Sequence, residues 1–258
     1  MLKQPIISTQ ALIWGLIVSI SFCSAAIAAN DSTNPFLRSK AGDLSSTAES
    51  ERAVLIILDC SGSMSDAAPD GRSKMYAAKS VLEEVMRDLA PGVAVGLRVY
   101  GSEQPSMDPI ERCLDTKLLV SPGTGNRQSI VNQLRSLKPS GATPISVALR
   151  AGLQDLERAD ASQKSIVLIS DGMDTCGNDP CLYASSVAAG IDVQFNVVGF
   201  GLGADLAALN QLECIAKSTD GKFYTADTAI QLAESVQDGV ERYYQEVSAS
   251  IKEIKDDQ

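Results

Sequence analysis

The chain has 258 residues, 45% of them apolar, a formal net charge of −10 and no histidine. That length accommodates one α/β domain of about 180–200 residues plus its ends, rather than two domains. The acidic balance offers no basic stripe for nucleic acid, and the missing histidines exclude Ser-His-Asp and Cys-His catalysis and His-ligated zinc.

Residues 1–28 read as a signal peptide. Lys3 gives the positive start, Ala11 to Phe22 the apolar core, and Ala26-Ile27-Ala28 a small-x-small cleavage site. The core is short for a membrane span, so no integral span is expected after cleavage. An uncleaved N-terminal anchor is the competing reading. Ser21-Phe22 is a poor lipobox, so Cys23 is expected to leave with the signal. The mature chain is therefore expected to be exported, periplasmic or extracellular. Residues 29–50 are rich in Ser, Thr, Asn and Asp without periodicity and read as a flexible linker.

A domain over 51–245 follows, in which strands and helices alternate. Residues 53–58 are continuously apolar and read as a strand buried on both faces. A helix is expected over 73–89, with Ser73 as N-cap and Pro91-Gly92 as its stop. A strand follows at 93–100, then a loop over 101–113 and a short strand at 116–120. No helix separates those two strands, so the second should pair antiparallel at an edge. Helices are expected at 126–137 and 145–159, joined through the turn Ser140 to Pro144. A second apolar strand at 165–170 ends in Asp171-Gly172. Pro180 opens a helix to Ala189, followed by a strand at 193–200, a helix at 205–218 and a strand at 222–225.

Leu232, Val236, Val240, Tyr243, Val247, Ile251 and Ile254 recur at helical spacing, so 228–256 reads as one helix. Its first half should pack on the sheet. Residues 246–258 form a charged helical extension that could meet a partner. The whole predicts a doubly wound, mostly parallel central sheet with one antiparallel edge strand and helices on both faces.

Asp59-x-Ser61-x-Ser63 lies at the C-terminal end of the first buried strand, where open α/β sheets bind ligands. Thr143 sits in the glycine- and proline-bounded turn before a helix. Asp171 ends the second buried strand. Hard oxygens of this kind suit Mg²⁺ or Mn²⁺. The plainer reading is that Ser61, Ser63 and Thr143 cap helices and turns. Asp66, Asp70 and Asp174 read as solvated loop carboxylates.

In order and spacing, these residues resemble the von Willebrand factor A domain and its metal-ion-dependent adhesion site. The Asp-x-Ser-x-Ser motif falls on Asp59, Ser61 and Ser63, the threonine on Thr143 and the later aspartate on Asp171. The stretches Asp171 to Cys176, Asp179-Pro-Cys181 and Leu212 to Ala216 look like bacterial exported proteins that carry this domain. The resemblance implies Mg²⁺ at these five residues, with Mn²⁺ or Ca²⁺ as alternatives. It also implies a protein or peptide ligand with an exposed Asp or Glu, and no catalysis.

Of six cysteines, Cys60 is expected to pack as a small apolar side chain. Cys113, Cys176, Cys181 and Cys214 allow three pairings. A bridge from Cys113 to the loop after Asp171 would leave the last pair to join neighbouring helices; a local Cys176–Cys181 bridge is the competitor. The alternative function is a Mg²⁺-dependent phosphotransferase resembling the haloacid dehalogenases, with Asp59 as nucleophile and Lys164 as its lysine. Ser61 stands where that family carries a second aspartate. A structural envelope scaffold is the third reading.

Overall fold

Six strands form one sheet in a computed structural model that describes residues 50–103 and 107–241. They are β1 (Ser50–Asp59), β2 (Val93–Tyr100), β3 (Thr116–Gly123), β4 (Ala161–Ser170), β5 (Val193–Phe200) and β6 (Phe223–Ala226). Their order is β3-β2-β1-β4-β5-β6. Every pair is parallel except β2 with β3, which is antiparallel at one edge. The order reverses between β1 and β4, which makes the ends of those two strands the place where such a sheet opens a crevice.

β1 and β4 begin earlier than their apolar runs suggest. Ser50 pairs with Ala161 and Arg52 with Gln163, so the ladder extends through polar residues by backbone pairing. β3 runs on to Gly123 through irregular register against β2. The helices are α1 (Lys74–Asp88), α2 (Pro109–Arg112), α3 (Arg127–Ser136), α4 (Ile145–Glu157), α5 (Pro180–Ala188) and α6 (Leu206–Lys217). A further helix, α7, covers 229–241 within the described residues. The signal, the linker before residue 50 and the helical extension after 241 lie outside the described residues. So do Tyr243, Val247, Ile251 and Ile254. No helix among the described residues is long and apolar enough to cross a membrane.

Alternation along β1 sorts the core. Val54, Ile56 and Leu58 pack with α1, α3 and α7, where Leu232, Val236 and Val240 are all buried. Ala53, Leu55 and Ile57 pack with α4, α5 and α6 on the other face. This is the period-two partition of a strand buried on both sides. Two contacts add detail used below. The Arg98 guanidinium of β2 meets Asp155 of α4 in a buried ion pair, Nε to Oδ2 2.7 Å. At the N-terminal edge of the sheet the Arg52 guanidinium donates to the carbonyl of Val240, 188 positions away in sequence.

Candidate metal centre

β1 delivers Asp59 to the C-terminal edge, and the chain then tightens into a 3-10 turn over Gly62–Ser65. Asp59 is completely buried. Its Oδ1 accepts from the Ser61 amide at 2.7 Å and its Oδ2 from the Ser170 hydroxyl at 2.8 Å. Behind it, the buried Tyr100 hydroxyl donates to Ser170 Oγ at 3.0 Å. The Ser61 and Ser63 hydroxyls lie 3.1 Å apart, and Ser63 Oγ donates to Asp171 Oδ1 at 2.7 Å. Four of the five sequence-selected residues thus form one connected chain from the end of β1 to the end of β4.

Thr143 reaches the same loop cluster through its backbone. Its amide donates to Thr175 Oγ1 at 2.9 Å, and its carbonyl accepts from the Thr175 amide at 3.1 Å. Gly141, two residues earlier, accepts from the Gly62 amide and bridges Ser61. Thr143 is buried, and its hydroxyl makes no hydrogen bond to the other four residues. None of the three hydroxyls caps a helix. Ser61 occupies an N-cap position without a side-chain cap bond, and Pro144, not Thr143, is the N-cap residue of α4.

Gly101 closes the junction. Its φ is +64°, and a Cβ there would stand 2.5 Å from the Ala142 carbonyl oxygen and 2.9 Å from Ser61 Cα. Both the left-handed backbone and the space exclude a side chain. Gly101→Ala should lower stability by about 1–3 kcal/mol through backbone strain alone and displace Ser61. Urea denaturation checks this, and an unchanged midpoint would refute the crowding.

The electrostatics are those of two carboxylates held together. Burial raises the pKa of Asp59 from 3.8 to about 6, helped by the charge of Asp171 and opposed by its hydrogen bonds from Ser61 and Ser170. Burial also raises the Cys60 thiol, with Asp59 adding to the effect. Lys74, the first residue of α1, donates to Asp171 Oδ2 at 3.0 Å while itself nearly buried. Among the described residues no three His, Cys, Asp or Glu side chains gather where they could hold a metal. The set here is instead two carboxylates and three hydroxyls that cap no helix, a donor chemistry suited to a hard divalent cation.

Sequence reasoning missed Lys74, Tyr100 and Ser170, whose roles depend on partners 70 to 111 positions away. It also misplaced Asp174. That carboxylate is buried rather than solvated, because it accepts from the amides of Ser146 at 3.2 Å and Cys176 at 2.7 Å. Asp66 and Asp70 are exposed, and Asp70 pairs with Arg72. Two disulfides form, Cys113–Cys176 and Cys181–Cys214, while Cys60 is a buried free thiol. Lys164 pairs with Ala53 and Val193 at the far end of the sheet, six positions before Ser170. That is about 20 Å along the strand, too far to serve Asp59 as a phosphotransferase lysine.

Comparison with known proteins agrees with this architecture. Residues 53–238 match the von Willebrand factor type A domain. YwmC, an uncharacterized protein of Bacillus subtilis, is 32% identical over 178 residues, covering 68% of this chain and 77% of its own. The PilB minor pilin from Streptococcus sanguinis superposes with a TM-score of 0.61 at 18% identity, over 78% of this chain and 63% of that one. Proximal thread matrix protein 1 from the mussel byssus, with a zinc-occupied MIDAS motif, gives 0.55 at 16% identity, over 76% of this chain and 46% of that one. The structural likenesses speak for the fold, and the match over 53–238 for the family. The chain belongs to the von Willebrand factor type A domain family.

Proposed function

We propose that this chain is an exported, metal-dependent protein-binding module of the adhesion type. It captures a carboxylate of its partner through a divalent cation held by Asp59, Ser61, Ser63, Thr143 and Asp171. One observation carries the reading. The hydroxyls of Ser61, Ser63 and Thr143 are left unused as helix caps, and Ser61 and Ser63 link buried Asp59 to buried Asp171, Ser61 by its amide to Asp59 and Ser63 by its hydroxyl to Asp171.

Mg²⁺ suits this donor set, with Mn²⁺ or Ca²⁺ as alternatives. When bound it supplies an electrophilic position for an oxygen of the partner. The chain's own residues set how strong that position is. The hydroxyls bind without adding negative charge. Asp59 and Asp171 against Lys74 leave one net negative charge, so a divalent ion keeps the centre positive. The Ser61 amide and Ser170 hydroxyl fix both oxygens of Asp59, and Ser63 and Lys74 fix both of Asp171. The two structural neighbours, a minor pilin and a protein with a zinc-occupied MIDAS motif, lend support. The working domain is 51–245, after a signal at 1–28 and a linker at 29–50, with an extension at 246–258. It acts in the periplasm or outside the cell, by binding rather than catalysis.

Titration calorimetry of the mature chain tests the centre. A saturable single-site heat with Mg²⁺ is expected, and flat titrations with Mg²⁺, Mn²⁺ and Ca²⁺ would overturn the reading. Envelope proteins retained in Mg²⁺ and released by EDTA identify the partner. Retention unaffected by EDTA counts against carboxylate capture.

A further inference from the structure

The large apolar side chains left in water are not scattered. Eight are exposed among the described residues. Tyr76 is on the first turn of α1. Met107, Ile110 and Leu114 follow β2 on the way to β3. Met173 comes just after β4, and Leu182, Leu206 and Ile230 lie at the starts of α5, α6 and α7. Each belongs to a segment that begins where a parallel strand ends. All eight therefore sit at the edge that carries Asp59 and Asp171, and none at the opposite edge. Single exposed apolar residues need no explanation, but confinement to one edge marks an interaction surface.

The disulfide concentrates part of this collar next to the candidate centre. Cys113–Cys176 joins the segment of Ile110 and Leu114 to the segment of Met173, which is two residues from Asp171. The same edge is acidic. Asp66, Glu103, Glu111, Asp179, Asp205 and Asp227 are exposed there, against Arg72, Arg112 and Lys138. A second copy placed edge to edge would bring like charges together, and so would an anionic bilayer.

We propose that this edge docks a partner protein segment in which one Asp or Glu is set among bulky apolar side chains and is otherwise neutral or basic. The inference rests on the metal-dependent reading above. The single carboxylate meets the metal, the apolar side chains cover Ile110, Leu114 and Met173, and the segment's neutral or basic remainder suits the acidic rim.

A random peptide library displayed on phage, panned on the mature chain in Mg²⁺ and in EDTA, tests this. Peptides retained only in Mg²⁺ should carry an acidic residue with Leu, Ile, Phe or Met close by. The triple variant Ile110→Ser, Leu114→Ser, Met173→Ser should bind such a peptide at least about ten-fold more weakly, as when apolar hot spots are lost. Its Mg²⁺ affinity should stay at the wild-type value, because the three side chains are exposed. Acidic peptides without apolar neighbours, or a variant that binds as well as wild type, overturn the collar and leave the metal reading standing. Peptides retained equally in EDTA overturn the metal reading itself. A concentration-dependent dimer, or cosedimentation with phosphatidylglycerol vesicles, that the triple variant abolishes would assign the collar to a second copy or to lipid and overturn the proposed partner.

Discussion

Asp59→Asn should abolish divalent-cation binding and yet raise the stability of the metal-free protein, by on the order of 1–3 kcal/mol at pH 7. The wild-type carboxylate is fully buried beside Asp171, and its pKa near 6 against an ordinary 3.8 measures how poorly that place tolerates the charge, chiefly through burial. Asparagine keeps the shape. Its oxygen can still accept from the Ser61 amide, and its NH₂ can donate to Ser170 Oγ, which then directs its proton to the Gly172 carbonyl already 3.1 Å away. The sign follows from the raised pKa. Below about pH 4 both folded and unfolded chains hold the proton and there is no penalty. The penalty grows as pH rises towards 6 and is nearly full at 7. Urea denaturation in EDTA should therefore show wild type and variant close together near pH 4 and the variant more stable at pH 7. Mg²⁺ should then stabilise wild type alone. A variant less stable than wild type at pH 7 would show that the charge is not what strains the site.

Asp155→Ala should lower stability by about 3–5 kcal/mol, because it strands a buried charge. Arg98 and Asp155 are both nearly inaccessible and bonded at 2.7 Å. Without the aspartate, the guanidinium keeps only Thr116 Oγ1, at 3.1 Å, as a neutral partner. Replacing both residues, Arg98→Met with Asp155→Leu, should recover most of the loss, since an apolar pair of similar volume has no charge to desolvate. Urea midpoints of wild type, single and double variants decide it. A double variant as unstable as the single would assign the loss to packing.

The parts of the fold legible in the sequence are those where one residue pattern has one physical outcome. β2 and β5 fall on residues 93–100 and 193–200, as read from their strand patterns. β1 and β4 run longer than their apolar stretches, because Ser50 and Arg52 of β1 and Ala161, Gln163 and Lys164 of β4 join the ladder by backbone bonds that side-chain polarity does not report. α2 was missed because four residues contain no helical period. At the candidate centre, Asp59, Ser61 and Ser63 stand out because they are contiguous, and Asp171 because a buried strand precedes it. Nothing in the sequence sets Lys74 apart from other lysines at a helix start. Only the fold brings it to Asp171, with its stem against Gly201 after β5. The disulfide pairing was open for the same reason, until the sheet carried Cys113 and Cys176 to one edge.

The Arg52–Val240 contact has a mechanical consequence. It holds the start of β1 to the last described turn of α7 at the edge away from Asp59. Tension applied between Asp59 and residue 50 loads opposite ends of one strand. That strand is clamped by eight paired positions to β2 and eight to β4. Tension along β1 acts on both ladders in shear, so the bonds must give way together rather than unzip in turn.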